Sequence, residues 1–274
     1  MKSLLVFTDE AFNADKSYSQ ISGFLITPSQ YIRLRNEVLS NYAKKHEERT
    51  GQRPMRYLPG YHSSDFCPEL NDHEKFKVWD YLLKKIYSYA EIVFIHGVHS
   101  THSFSNVIPK GKEGYLGDVW FNHLCYLNSY AEKNFIIPII DLGLNKSYSN
   151  MYQMYSGSHN NLMGAVVTGY GTIDCIKNFG NILEPVFCKD EYSIGVQMAD
   201  LVGAFQWTNS KLYPSESRSW FKTKAASMFL KYIKRRKTNC LFYTISYDTI
   251  SKQASNTFHD SFIAGKKILN ESHD

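Results

Sequence analysis

The segment Ser193 to Trp207, SIGVQMADLVGAFQW, constrains the fold more than any other stretch of the chain. At helical spacing Ile194, Met198, Leu201, Val202 and Phe205 share one face, and Ser193, Gln197, Asp200 and Ala204 line an adjacent strip. Asp200 is the segment's single charge. Gly195, Ala199, Gly203 and Ala204 lack bulk, so the helix can lie close against a sheet, and its carboxylate then leaves water. Such an acid needs compensation. A metal ion would supply it, and so would a Lys or Arg partner.

The strands that would make that sheet are legible. Leu4 to Thr8 is apolar on both faces, the pattern of a strand in the interior of a sheet, and Asp9 stands at its exit. Ser19 to Thr27 reads as a second strand, antiparallel to the first because the connection is short. Pro28 and Ser29 open a helix to about His46, and a polar loop, Glu47 to Pro68, carries Tyr61, His62 and Asp65. A helix is expected over His73 to Ala90, a strand over Glu91 to Val98, a helix over Gly117 to Lys133 and a strand over Phe135 to Ile140 that stops at Asp141. This order implies parallel strands joined by a crossover helix, although Pro138 argues against a central place for the last one. Short strands at Gly164 to Gly171 and Leu183 to Phe187, the helix at Ser193 and a basic helix from about Arg218 to Lys237 complete the reading. The class is α/β, a mixed sheet flanked by helices with C-terminal helical and strand additions. Residues 1–274 form one domain, with a core over about 1–210 and a basic extension over 211–274.

Asp9, Asp141 and Asp200 are the candidate metal ligands, since two strand ends and one buried helix deliver carboxylates from apolar surroundings. Hard cations such as Mg²⁺ or Mn²⁺ take oxygen ligands and keep waters for substrate phosphates. Two of them about 3.5 to 4 Å apart can activate an attacking water and stabilise the leaving oxygen. Glu10, pointing to the opposite side of the strand from Asp9, is an outer contributor or structural partner. Gln197 would orient substrate or a ligand carboxylate, and His62, with Asp65 nearby, could shuttle a proton. His96, His99 and His102, in HGVHSTH, offer a competing zinc site, without the common face that a helix would provide. No glycine-rich phosphate cradle and no Gly-x-Ser-x-Gly elbow is present.

Lys and Arg exceed Asp and Glu by 31 to 26, a mild excess compatible with a polyanion. It concentrates between Lys211 and Lys237, where Lys222, Lys224, Lys234, Arg235 and Arg236 are candidate nucleic-acid contacts. Trp220, Phe221, Phe229 and Tyr232 lie among them, either to stack on bases or to face the core. The five cysteines show no metal or disulfide pattern, and the first apolar run is shorter than a signal-peptide core. A cytoplasmic protein with no membrane segment is expected.

The Asp9-Glu10 pair after the first strand and Gln197-Met198-Ala199-Asp200 inside an apolar helix resemble a bacterial family, the domain of unknown function numbered 3800. His62 before the second helix and Asp141 after a late strand fit the same order across residues 4 to 210. Ala11-Phe12 departs from it, since members often have Ser-Gly there. The resemblance implies a ribonuclease H-like fold in which acids from the first strand, a later strand and a helix converge on metal. The function expected is a divalent-metal-dependent nuclease acting on DNA or RNA. The alternatives are a non-catalytic member that binds nucleic acid or a protein, and a hydrolase of smaller phosphate esters.

Overall fold

The computed structural model describes residues 1–12, 18–54, 60–61, 66–100, 119, 123–124, 126–127, 130–141, 181–204, 219–234 and 237–245. Strand β1 (Lys2–Phe12) is apolar on both sides because both sides are covered, with Leu4 and Val6 buried on one face and Phe7 on the other. Five further strands join it: β2 (Tyr18–Ile26), β3 (Ile92–Ser100), β4 (Asn134–Asp141), β5 (Val186–Cys188) and β6 (Thr238–Ile245). The sheet runs β5-β4-β1-β2-β3-β6. Pairs β1–β2 and β2–β3 are antiparallel, and β1–β4, β4–β5 and β3–β6 are parallel. The expected interior position of the first strand is met. β3 and β4 run parallel as expected, but β1 and β2 stand between them.

Pro138 does sit in an interior strand, contrary to the sequence argument. The nitrogen and the carbonyl of Ile136 both bond toward the 181–183 segment. Alternation turns Pro138 the same way. There the pairing is interrupted, between the bridge at Ile182 and the ladder that starts at Val186. The missing N–H therefore falls in a gap.

Helix α1 (Pro28–Thr50) starts with the Thr27 side chain accepting from the Gln30 N–H and ends at Gly51, whose φ of 71° suits glycine. Helix α2 (Asp72–Tyr89) opens with a capping box between Asn71 and Glu74. Val119, His123, Leu124, Tyr126, Leu127, Tyr130 and Ala131 of the crossover are helical. Helices α3 (Ile194–Gly203) and α4 (Trp220–Ile233) follow.

One core holds Phe7, Phe24, Val93 and Ile95 of the sheet together with Leu34, Trp79, Leu82, Met198, Phe221 and Phe229 from α1, α2, α3 and α4. On the opposite face the crossover covers the sheet, with His123 against Phe94 and Tyr126 against His96. Of the stretch expected as a basic extension, the described residues 219–234 and 237–245 pack with the core: α4 buries Phe221, Phe229 and Tyr232, and β6 pairs with β3 at the sheet edge. Among the described residues no helix is long and apolar enough to cross a membrane.

Candidate functional site

Period-two alternation places Asp9 on the same face as Phe7, and the pairing of Phe7 with Ile139 puts Asp141 on that face of the neighbouring strand. Both acids stand at the C-terminal ends of parallel strands, β1 and β4. Above them lies α3, close to the sheet because its contact residues are small. The site of a Cβ on Gly195 is 2.3 Å from the Phe7 ring, and on Gly203 it is 2.6 Å from Ser22 Oγ. The polar side chains beneath the helix are spent on its carbonyls: Ser22 Oγ donates to Ala199 at 3.3 Å and Gln20 Nε2 to Gly203 at 3.0 Å. Ser22 pairs with Asp9 across β1 and β2, so the helix held there delivers Asp200 to Asp9.

The carboxylates interact strongly. Burial pushes the Asp9 carboxyl well above the usual range, and the charges of Asp200, Glu10 and Asp141 add to it, with a side-chain hydrogen bond to Asp200. Glu10 is pushed up to about 8, first by burial and then by Asp141. Asp200 is only 6% exposed. Asp9, Glu10 and Asp141 retain some accessible surface. Glu10 Oε2 is itself buried and has no hydrogen-bond partner. No group of three or more His, Cys, Asp or Glu among the described residues is set, as it stands, to hold a metal ion. The chemistry of the donor set nevertheless fits a hard cation: mutually repelling carboxylates, one with an orphaned oxygen, gain when a positive charge offsets them.

Gln197, expected to orient substrate or a ligand carboxylate, is bonded to main chain at both ends. Its Oε1 accepts from the Tyr61 N–H at 3.2 Å and its Nε2 donates to the Asp190 carbonyl at 2.9 Å, so both ends of the amide hold main chain rather than substrate. The Asp190 N–H in turn donates to Asp141 Oδ1 at 3.1 Å. Gln197 thus reaches the Asp141 carboxylate through the Asp190–Tyr192 turn, and it holds the main chain at Tyr61, next to position 62. His62 and Asp65 lie outside the described residues, as do Arg235 and Arg236. The Asp190 turn was missed by sequence reasoning, because a main-chain donor leaves no residue-type signal.

On α4 Lys222 is half-buried and Lys224 exposed, and Lys234, at the helix C-cap, is exposed. Its aromatics are mostly turned inward. Phe221 stacks on Phe66 with centroids 5.4 Å apart, Tyr232 stacks on Tyr87 at 4.9 Å and donates to Asp80, and Phe229 lies 6.5 Å from Trp79. Only Trp220 of the four keeps a large exposed area, over His73 and Phe76.

The zinc reading finds a different partner for its first histidine. His96 lies buried on the crossover face with Nδ1 3.1 Å from Nδ1 of His123. Burial lowers both imidazoles, His96 to about 3, so the pair is neutral. His102 and the side chain of His99 lie outside the described residues. No protein-family model, curated protein or solved structure matches this chain.

Proposed function

We propose that this chain is a divalent-metal-dependent nuclease with a ribonuclease H-like core, hydrolysing phosphodiesters of DNA or RNA. The observation that carries the proposal is the convergence of Asp9 and Asp141, from adjacent parallel strands, beneath a helix whose Asp200 bonds to Asp9. The order β5-β4-β1-β2-β3 supports the fold reading, since it joins an antiparallel meander of the first three strands to a parallel β1-β4-β5 half.

Asp9, Asp141 and Asp200 would hold Mg²⁺ or Mn²⁺, which when bound supplies Lewis acidity and a water activated for attack on phosphorus. The chain's own contribution is positioning. Ser22 and Gln20 fix α3 on the sheet, Asp190 orients Asp141 and Gln197 fixes Asp190. Glu10, beside these acids, is pushed up to about 8 and keeps its proton at neutral pH when no cation offsets the cluster.

Purified protein incubated with single- and double-stranded DNA and RNA should cut at least one of them in Mg²⁺ or Mn²⁺ and none in a chelator. Asp9→Asn should remove the activity. Metal-independent retention of nucleic acid without cutting would replace the proposal with a binding role, and absence of both would end it.

A further inference from the structure

The turn that holds Asp141 also carries the most exposed aromatic side chain of the described residues. Tyr192, at the end of the Asp190–Tyr192 turn, is 71% exposed. The turn itself is tightly pinned. Tyr192 N–H donates to Lys189 at 2.9 Å, Ser193 N–H to the Asp190 carbonyl at 3.1 Å and Glu191 N–H to Asp190 Oδ1 at 2.6 Å. Gln197 holds the same Asp190 carbonyl, and Asp190 holds Asp141. The ring stands mostly in water on main chain that these bonds fix, so it is held ready to be covered. Exposed Lys189 precedes the turn, so a cation and an aromatic ring stand on either side of Asp190, whose N–H holds Asp141, with exposed Glu191 between them.

We infer that Tyr192 is a stacking platform for an unpaired base next to the phosphodiester held at the acids, so that the preferred substrate is single-stranded nucleic acid or a strand with an unpaired base at the cut. The inference rests on the nuclease reading and deepens it. A duplex offers no free base face at the scissile position, whereas every unpaired base offers one regardless of sequence. Lys189 contacts the neighbouring phosphate as a point charge. On α4, by contrast, Phe221, Phe229 and Tyr232 are buried and offer no ring to a base.

The test compares wild type, Tyr192→Ala and Tyr192→Trp on a single-stranded oligonucleotide and on the blunt duplex of the same sequence in Mn²⁺. Tyr192→Ala should raise KM for the single strand roughly tenfold, the size of one lost base stack, with melting temperature unchanged. Tyr192→Trp should restore KM, and its indole fluorescence should be quenched by the single strand more than by the duplex. If wild type cuts and Tyr192→Ala matches its KM, with no quenching in Tyr192→Trp, the platform is refuted while the nuclease reading stands. If wild type neither cuts nor binds any nucleic acid, both fall.

Discussion

Glu10→Gln isolates the electrostatics of the acid cluster. Burial, then Asp141, raises this carboxyl from 4.5 to about 8. A folded-state value above the unfolded one means that the folded chain binds the proton more tightly. The stability this group contributes is whole below pH 4.5 and is lost as pH rises through about 8. A shift of this size is worth on the order of 5 kcal/mol as an upper bound. Because Glu10 keeps some accessible surface, about 2 to 3 kcal/mol is the measurable share after solvent screening. The amide of glutamine stays neutral throughout. Its own imperfect hydrogen bonding costs about 1 to 2 kcal/mol at either pH and cancels in the difference. Urea unfolding in a chelator at pH 5 and pH 9 should therefore show wild type losing about 2 to 3 kcal/mol more stability across that interval than Glu10→Gln. The variant keeps part of the slope, because Asp9 is also raised, first by burial. Equal losses in the two proteins would refute the reasoning, since Glu10 would then be no more protonated in the folded chain than in the unfolded one.

Asp200→Asn should abolish metal-dependent cleavage and weaken Mn²⁺ binding measured by calorimetry, yet leave the chelated protein as stable as wild type or steadier, because it removes a charge beside Asp9 at nearly constant volume. Gln197→Ala should cost roughly 1 to 3 kcal/mol of unfolding free energy, since it strands the Tyr61 N–H and the Asp190 carbonyl, and should weaken Mn²⁺ binding through Asp141. Gly195→Val forces a branched side chain onto the Phe7 ring, and a loss of about 1 to 3 kcal/mol by denaturant titration is expected. Replacing Lys222, Lys224, Lys234, Arg235 and Arg236 together with Gln should weaken nucleic-acid binding and flatten its dependence on salt, and an unchanged slope would assign α4 to the core alone.

Local pattern was enough to read much of this protein from its residues. Leu4 to Thr8 announces an interior strand because apolar side chains on alternating faces are stable only when both faces are covered. The small residues of α3 announce a close helix because no larger side chain fits between Gly195 and Phe7. Asp9, Asp141 and Asp200 could be named as candidates because two apolar strands end on carboxylates and the apolar helix carries a single charge. The approach of Asp9 to Asp141 follows from the register of β1 with β4, and that of Asp200 from the seat of α3 on Ser22, long-range pairings that no local period encodes.

Tertiary structure alone decided the rest, in each case because the partner is distant in sequence or is main chain. Pro138 is tolerated in β4 because the neighbouring ladder breaks opposite it, and the residues that make the break lie more than a hundred positions after β1 closes the other side. Gln197 could orient substrate or a carboxylate by its type alone, and the structure gives both ends of its amide to Tyr61 and Asp190. The aromatics of the basic helix are sorted by α2, which takes Phe229 and Tyr232 into the core and leaves Trp220 at the surface. Residue types and their spacing state which groups must be buried or compensated. Which partner does the compensating is a property of packed space, where backbone donors and residues far apart in the chain come within a hydrogen bond of one another.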